Sequence, residues 1–290
     1  MLSCERPEVS IVFATYNRLH LLKRSLVCYL NQSFPLDKLE LVVIDDHSTD
    51  GTSEFIRSWS NETGVRTTVV TPCPKNESWR DCGAVLNAGI RASLGKNIIL
   101  THPEVMPGKQ SISACVQKMK KYPRWYVCCK VYYLTEEDQK QLDTVDWKSK
   151  GVLSVREIPG FYEKDDNPNP DYTHQSTDIV GKPYSRLPTW ESWVFGGFSR
   201  STWKFLGGML ETQKWGTVDV AFFRRRQTLQ ITNYTCPEDD TIVVHQNHDS
   251  PQDCPTPRIE KVWMEELEQY NLSLAHELVW PKIDNLGWSD

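Results

Sequence analysis

Polar side chains with the capacity for chemistry follow three apolar runs within roughly the first hundred residues. These groups are Thr15–Arg18, Asp45–Asp50 and His102–Glu104. If each run is a strand of one parallel sheet, the groups meet at the edge where open α/β sheets bind their ligands. The spacing therefore predicts a shared crevice lined by an aromatic ring, carboxylates, hydroxyls and imidazole.

The first two groups carry side chains suited to holding a base and a ribose. The ring of Tyr16 would stack on a planar base. Asp45 or Asp46 would accept a hydrogen bond from an imide N–H or a ribose hydroxyl. Alternatively, residues 46–50 form only a helix-capping turn, which explains the hydroxyls of this segment but not its two adjacent acids.

The elements that must position these groups alternate between strand and helix. Apolar residues at helical spacing, such as Leu19, Leu22 and Leu26, separate short β-branched runs. The predicted strands are 9–13, 39–44, 66–70, 97–100 and 126–134, and the predicted helices are 19–30, 49–59, 80–94 and 258–280. This alternation predicts an α/β fold with a mostly parallel central sheet and helices on both faces. Residues 135–188 are polar and contain several prolines, which predicts a loop-rich insert or lid.

The composition excludes several classes of protein. The 290 residues are 39% hydrophobic and 24% charged, which excludes disordered and fibrous chains. A net charge of −5 gives no extended surface for nucleic acid. No apolar run approaches the ~20 residues of a membrane span, and residues 1–7 lack the pattern of a signal peptide. We therefore expect a soluble cytoplasmic protein whose cysteines are buried thiols.

Two motifs, Val9–Arg18 and Leu41–Asp50, follow one another in the first fifty residues. Further segments follow at Gly83, Asn87–Gly89, Ile98–Leu100, Phe195–Phe198, Gly207–Gly208 and Trp215–Asp219. In this order the segments resemble family 2 glycosyltransferases with the GT-A fold. The resemblance implies an enzyme of the hexosyltransferase type that depends on a nucleotide sugar.

The resemblance also implies a division of the chain. A GT-A, Rossmann-like domain would cover residues 1–250, followed by a C-terminal helical extension over residues 251–290. Within the domain, residues 1–130 would bind the nucleotide sugar and residues 135–188 would form the insert. Residues 189–250 would form the acceptor and catalytic half.

Donor and acceptor roles follow from the same resemblance. The predicted donor-binding residues are Thr15, Tyr16, Asn17, Arg18, Asp45, Asp46, Arg80, Asn87 and His102. The predicted acceptor-binding residues are Trp190, Trp215, Gly196 and Gly197. A Trp face would stack on the apolar face of a sugar ring. The donor is expected to be a UDP-sugar, and the acceptor a glycan or another hydroxyl-bearing molecule.

In that family, an Asp-x-Asp element after the fourth strand holds a divalent metal on the nucleotide diphosphate. This chain has His102 and Glu104 at those two positions. Glu104 suits Mg²⁺ or Mn²⁺, whereas His102 suits Mn²⁺ better than Mg²⁺, so Mn²⁺ is the predicted cofactor. A turn shaped by Pro103 is the alternative. The resemblance also implies a late histidine ligand, for which we predict His245 rather than His248; both are otherwise surface histidines.

Transfer requires a base that deprotonates the acceptor hydroxyl. The family's Gly-x-Glu-Asp stretch corresponds to Gly216–Asp219, where Val218 replaces the first acid and Asp219 remains. We predict Asp219 as the general base, with Glu211 as the second candidate or an acceptor-binding residue. A cap that interacts with the helix dipole is the alternative role of Asp219. Residues 224–226, all arginine, would meet a phosphate-bearing acceptor or form a solvated face.

The resemblance implies sugar transfer by direct displacement with inversion. A non-catalytic nucleotide-sugar or glycan-binding protein on the same fold is the second hypothesis, because His102 and Val218 depart from the family pattern. A nucleotidyltransferase is the third. That class normally carries a Gly-rich loop after the first strand, and residues 14–18 contain no glycine.

Overall fold

The computed structural model describes residues 5–73, 82–159, 161, 183–184, 194–209, 211, 218–236 and 239–248. The strands are β1 (Val9–Thr15), β2 (Leu39–Asp45), β3 (Arg66–Val70), β4 (Asn97–Thr101), β5 (Val105–Pro107), β6 (Tyr126–Cys129), β7 (Val131–Tyr133), β8 (Pro183–Tyr184), β9 (Phe195–Ser199), β10 (Asn233–Cys236) and β11 (Val243–His245). The helices are α1 (Leu19–Leu30), α2 (Thr52–Thr63), α3 (Cys82–Ala92), α4 (Ser111–Lys121), α5 (Glu136–Gln141), α6 (Trp147–Lys150), α7 (Arg200–Leu206) and α8 (Val218–Thr228). The predicted C-terminal extension, Arg80, Trp190 and Trp215 lie outside the described residues.

A central sheet contains eight of the described strands, in the order β3-β2-β1-β4-β9-β6-β10-β8. β1 is parallel to β2 and β4, β2 to β3, and β10 to β6, whereas β9 and β8 run antiparallel to their neighbours. The sheet is therefore mostly parallel, as the sequence predicts. β2 and β3 extend the sheet on one side of β1, and β4 pairs with the other side of β1. Ligands of such sheets bind beyond the strand ends at this point.

Apolar side chains alternate along the strands and fill a core on each face of the central sheet. Ile11 and Phe13 of β1 belong to the core that includes residues of α1, α2 and α4. Val12 belongs to the opposite core, with residues of α3, α7 and α8. The alternation follows from the two-residue period of a strand. Helices thus cover both faces, which confirms the predicted arrangement.

A second sheet, formed by β5, β11 and β7 in the described part of the chain, begins just beyond the end of β4. β5 pairs antiparallel with β11 so that Val105 faces His245, and β11 pairs parallel with β7. The predicted strand 126–134 is therefore two strands, because the chain passes from the central sheet to the small sheet at Lys130. The turn of residues 102–104 lies next to the end of β11.

The described start of the predicted insert is more regular than the sequence suggests. Residues 136–157 contain α5, α6 and two 3₁₀ segments, which lie around the buried side chain of Trp147. This cluster packs against Met106 of β5 and Val244 of β11. Part of its apolar residues, Val152, Val155 and Ile158, recur every three residues, a spacing that fits the second 3₁₀ segment. No helix among the described residues is both long enough and apolar enough to cross a membrane.

Candidate functional site

Hydrogen bonds join the loops that follow β1 and β2. The N–H of Asn17 donates to Ser48 Oγ at 3.0 Å, and Asn17 Oδ1 accepts from the N–H of Thr49 at 2.7 Å. The N–H of Leu19, at the start of α1, donates to Asp50 Oδ2 at 2.9 Å. Bonds in both directions hold the two loops as one surface at the strand ends.

Two residues of this surface have left-handed backbone conformations. Asn17 has φ 52° and His47 has φ 66°. Such conformations cost a side-chain-bearing residue roughly 1–3 kcal/mol and concentrate at functional sites. His47 Nε2 also lies 3.0 Å from the carbonyl oxygen of Pro72, which follows β3. The loops after three neighbouring strands are therefore linked.

Tyr16 projects from this linked surface. It is 53% exposed and is one of two large hydrophobic side chains that are exposed among the described residues. Its chain neighbour Thr15 is buried, and the Thr15 carbonyl accepts from the N–H of Asp46 at 2.9 Å. A half-exposed ring on a fixed backbone suits stacking on a base. Arg18, two residues further on, is the N-cap residue of α1.

Asp45 organises the turn after β2. Its Oδ1 accepts from the N–H of Ser48 at 2.9 Å, and its Oδ2 accepts from the Ser53 hydroxyl. The carboxylate is buried, as is that of Asp46. Both Asp45 oxygens thus have partners within the protein, and the turn gives one of the two adjacent acids a structural reason. Donor binding by either acid remains a prediction.

Three imidazoles surround one carboxylate oxygen at the end of β4. Glu104 Oε1 lies 3.6 Å from His102 Nδ1, 3.4 Å from His245 Nε2 and 3.2 Å from His248 Nε2. Glu104 is only 6% exposed, and the three histidines are partly exposed. The carboxylate is therefore buried, and the three imidazoles that border it are partly accessible to solvent.

The small sheet brings these side chains together. His102 and Glu104 belong to the turn between β4 and β5, and Val105 at the start of β5 pairs with His245 at the end of β11. The chain then continues directly to His248 beyond the strand. The structure thus joins the two segments predicted to carry metal ligands, which are over 140 residues apart in sequence.

The surroundings set the charge of this cluster. Burial would raise the pKa of the Glu104 carboxyl, but hydrogen bonds with His102, His245 and His248 outweigh burial and hold the pKa well below its ordinary value. Burial lowers the pKa of His245, despite the neighbouring carboxylate. An ionised carboxylate and a neutral imidazole are the forms that bind metal ions.

The donor atoms of His102, Glu104 and His245 all lie within 4.8 Å of one another. Two imidazole nitrogens and one carboxylate oxygen suit Mn²⁺ or another transition metal better than Mg²⁺, which prefers oxygen ligands. The three side chains therefore fit a divalent cation. His248, which sequence analysis ranked below His245, lies at the shortest distance from the carboxylate.

Asn87 and Glu211 form a second group on the α3 side of the central sheet. Asn87 Nδ2 donates to Glu211 Oε1 at 2.8 Å and to the Met209 carbonyl at 2.9 Å, and its Oδ1 accepts from the N–H of Met209 at 2.8 Å. Arg91 lies 3.6 Å from Glu211. The buried Asn87 amide thus holds Met209 and Glu211 against α3. This structural role alone gives a reason for an asparagine at position 87, apart from any role in donor binding.

Four residues lie where packing explains them. Gly196 and Gly197 belong to β9 in the middle of the central sheet, and a Cβ on Gly197 would lie 2.7 Å from the Ile98 carbonyl oxygen. Both glycines are buried, and acceptor binding by them stays a prediction. Arg225 and Arg226 are buried and not solvated: the Arg225 guanidinium donates to main-chain carbonyls and that of Arg226 stacks 3.8 Å from the Tyr126 ring.

Asp219, the predicted base, lies in the first turn of α8 and is partly exposed. Val218 beside it is buried in the same core as Leu86 and Met209, so α8 begins close to the segment that carries Glu211. The position also suits a helix-capping carboxylate. The structure thus leaves both interpretations of Asp219 in place.

Sequence reasoning missed Gln246 and Ser25. Gln246 is buried between His245 and His248, and its amide contacts the turn of residues 102–104 and α1. Ser25 of α1 donates to the carbonyl of Pro103 at 2.8 Å. The only available signal was a polar residue between two histidines, and no pattern in α1 pointed to Ser25.

A mostly parallel sheet with linked loops at its strand ends is the arrangement predicted for the GT-A fold. The model of the family "Glycosyl transferase family 2" matches residues 10–180, which is more than half of the chain. The chain belongs to this family. The match confirms the predicted family.

Comparisons with known proteins agree with this assignment. The probable glycosyltransferase YdaM of Bacillus subtilis is 26% identical over 108 residues, which is 37% of this chain and 25% of YdaM. The chain spans a quarter or less of the length of the curated relatives that it matches.

Two solved structures share the fold over most of the chain. The mannosyltransferase PcManGT from Pyrobaculum calidifontis, in complex with GDP-Man and Mn²⁺, is 18% identical with a TM-score of 0.55, covering 94% of this chain and 74% of the other. The S. aureus TarS fragment 1–349 in complex with UDP-GlcNAc is 12% identical with a TM-score of 0.62, covering 93% and 71%. At these identities the likeness concerns the fold alone.

Proposed function

We propose that this chain transfers a sugar from a nucleotide-diphosphate donor, a UDP-sugar, to an acceptor hydroxyl with inversion at the anomeric carbon. The observation that carries the proposal is the convergence of His102, Glu104 and His245 beyond β4, beside the linked loops that follow β1 and β2. A cluster of metal ligands next to an exposed aromatic ring matches the needs of a nucleotide diphosphate, which has charged and planar parts.

The linked loops would bind the nucleotide. Tyr16 would stack on the base, and the polar groups of the loops would accept from its imide or from the ribose. Arg18 would add positive charge near the phosphates. Support comes from neighbours of the same fold, TarS with UDP-GlcNAc and PcManGT with GDP-Man. We favour UDP because UDP-sugars are the commonest donors of such families.

His102, Glu104 and His245 would hold a divalent metal, for which Mn²⁺ suits the two imidazoles better than Mg²⁺. When bound, such a cation supplies positive charge that stabilises the diphosphate as its bond to the sugar breaks. Glu104 would bring the negative charge that attracts the cation into a buried place. PcManGT, which is in complex with Mn²⁺, supports this choice of metal.

Asp219 would act as the general base. The acceptor oxygen attacks the anomeric carbon from the face opposite the diphosphate, the bond from that carbon to the diphosphate oxygen breaks, and Asp219 takes the hydroxyl proton. Glu211 would orient acceptor hydroxyls, since Asn87 and Arg91 fix its carboxylate. One displacement of this kind inverts the configuration and needs no covalent intermediate.

A non-catalytic binding protein is the second candidate. In the family pattern an acid stands where this chain has Val218, and here that side chain is buried in an apolar core. A chain that has lost one acid and altered its metal ligands would still hold a nucleotide sugar without transferring it.

Release of nucleoside diphosphate distinguishes the two candidates. The chain is incubated with UDP-glucose, UDP-GlcNAc or GDP-mannose, with Mn²⁺ or with a chelator, and slow hydrolysis of the donor is followed. We expect one UDP-sugar to be hydrolysed in Mn²⁺ and none with the chelator. If a donor raises the melting temperature of the protein but is never hydrolysed, the result would favour the hypothesis of a non-catalytic binding protein.

A further inference from the structure

Gln246, the first of the two residues between His245 and His248, has a buried side-chain amide. Gln246 is 0% exposed, although its chain neighbours His245 and Asn247 are partly exposed. Its backbone N–H donates to the Glu104 carbonyl at 3.3 Å, and its side-chain Nε2 donates to the same carbonyl at 3.0 Å. Two bonds from one residue thus fix the backbone of the carboxylate that faces the imidazoles.

The same amide also reaches α1. Gln246 Nε2 lies 3.1 Å from the Leu21 carbonyl oxygen and 3.4 Å from Ser25 Oγ. The Ser25 hydroxyl in turn donates to the Pro103 carbonyl at 2.8 Å. The turn of residues 102–104 is therefore tied to a long helix at two successive carbonyls, once directly through Ser25 and once through Gln246.

We infer that Gln246 is a positioning residue that sets the separation of Glu104 from His245 and thereby tunes metal affinity. The inference rests on the proposed metal-assisted function. β5 is only three residues long, so its pairing with β11 alone gives weak control of register. Bonds that orient ligands from behind are worth about 10–100-fold in metal affinity or activity.

The chemistry of the amide sharpens the inference. In the described part of the chain its Oε1 has no hydrogen-bond partner, whereas Nε2 has three acceptors within reach. Replacing Gln246 by Met therefore removes the donor contacts without stranding a donor elsewhere. The variant should lose only the stability that ordinary hydrogen bonds contribute. The backbone of Glu104 would no longer be held by the side chain of residue 246.

A second glutamine offers a matched control. Gln32, the residue after the C-cap of α1, donates through Nε2 to the Cys28 carbonyl at 3.1 Å and to the Gly108 carbonyl at 2.9 Å. It thus ties α1 to the far end of β5, as Gln246 does at the near end. Q32M removes side-chain amide donors to main-chain carbonyls near β5, away from Glu104, together with a weaker acceptor for the Ile112 N–H at 3.5 Å.

The test measures Mn²⁺ binding to the free protein by the loss of the free-ion electron paramagnetic resonance signal, together with thermal unfolding without metal. We expect Q246M to bind Mn²⁺ about 10–100-fold more weakly and Q32M to bind as the wild type does. Both variants should unfold at a lower temperature. Raising Mn²⁺ to saturation should restore donor hydrolysis in Q246M.

The outcomes separate the two proposals. If the wild type binds Mn²⁺ and Q246M binds it equally well, or if Q32M weakens binding as much, then Gln246 has no special positioning role and the proposed function stands. If the wild type binds no Mn²⁺, the metal-assisted function fails, and the role of Gln246 fails with it.

Discussion

The carboxylate of Glu104 is the most constrained charge among the described residues of the site. It is buried, and three imidazoles approach one of its oxygens. Water cannot compensate a buried anion, so its charge must be balanced by these rings or by a cation. Burial lowers the pKa of His245 and so favours its neutral form, which leaves more of the carboxylate charge for a cation to balance.

Replacing Glu104 by Gln keeps the shape of the side chain and removes its charge. We expect Mn²⁺ affinity to fall by at least about 100-fold, because altering groups behind a ligand already costs about 10–100-fold. Isothermal titration with Mn²⁺ measures the change. The control is E136Q, which neutralises an exposed acid paired with Lys140. Equal Mn²⁺ affinity in E104Q and wild type would remove Glu104 from the site.

Replacing Asp219 by Asn should lower turnover by about 10²- to 10⁴-fold, the usual contribution of a general base. Donor affinity should hardly change, since the base acts on the acceptor. Steady-state kinetics and donor titration measure the two quantities. E211Q is the comparison: if it is inactive while D219N is active, Glu211 is the base.

Replacing Tyr16 by Ala should weaken binding of UDP by about 1–3 kcal/mol, the usual value of stacking between an aromatic side chain and a base. Thermal stability should change less than UDP affinity, because the side chain is 53% exposed. Calorimetric titration with UDP tests this, with Y16F as the control that keeps the ring. Wild-type affinity in Y16A would place the base elsewhere.

At the level of single residues, the sequence indicates which candidate ligands to consider but not the residues that contact them from behind. His102, Glu104 and His245 stand out because their types and their positions after apolar runs are visible in the chain. His248 and Gln246 do not, because their contacts depend on the register of two three-residue strands. Nothing in the spacing reveals which glutamine will be buried.

At the level of elements, β9 lies between β4 and β6 and carries two adjacent glycines. A Cβ on Gly197 would also lie 2.9 Å from an Ile99 side-chain carbon and 3.1 Å from the sulfur of Met119. The glycine thus allows α4 to approach the sheet. This packing role stands beside the acceptor-binding role that the resemblance implies, which stays a prediction.

Replacing Gly197 by Ala should destabilise the protein by about 1–3 kcal/mol, the usual cost of overpacking a core. The main-chain carbonyl of Ile98 cannot move without breaking the sheet. Urea unfolding followed by circular dichroism measures the loss. An unchanged unfolding midpoint would mean that α4 packs more loosely than the structure shows.

The elements that the sequence predicts well are those stabilised by local patterns. α1 and β3 begin and end at the predicted residues, because leucine spacing and a β-branched run mark them. The prediction of one strand over residues 126–134 is wrong, because this largely apolar run forms one strand in each of two sheets. The division at Lys130 depends on where β10 and β11 lie, which no local pattern contains.

At the level of the whole molecule, buried thiols set an alkaline limit to stability. Burial raises the pKa of the Cys28 thiol to about 12 and the pKa of Cys129 well above its ordinary value; a hydrogen bond with Cys129 does the same for the pKa of Cys115. Unfolding releases these thiols to ionise near their ordinary pKa of 9.0.

The sign of the effect follows from this difference. A raised pKa in the folded state gives stability that is complete below about pH 9 and is lost as the pH rises towards the folded-state pKa. Each such thiol should lower the free energy of unfolding by about 1.4 kcal/mol per pH unit above pH 9. Urea unfolding at pH 8, 9 and 10 tests this, with C28A as a variant that should reduce the slope. A stability that stays constant to pH 10 would contradict the burial of these thiols.

The position of β9 also determines when the molecule can be completed during its synthesis. β4 and β6 are made within the first 129 residues, but the strand that joins them is residues 195–199. At elongation rates of about 5–20 residues per second, the edges of β4 and β6 that will pair with β9 stay unpaired for several seconds during synthesis. An open strand edge is a template for pairing with other chains, so a ribosome-bound fragment ending before β9 would need a chaperone to shield it.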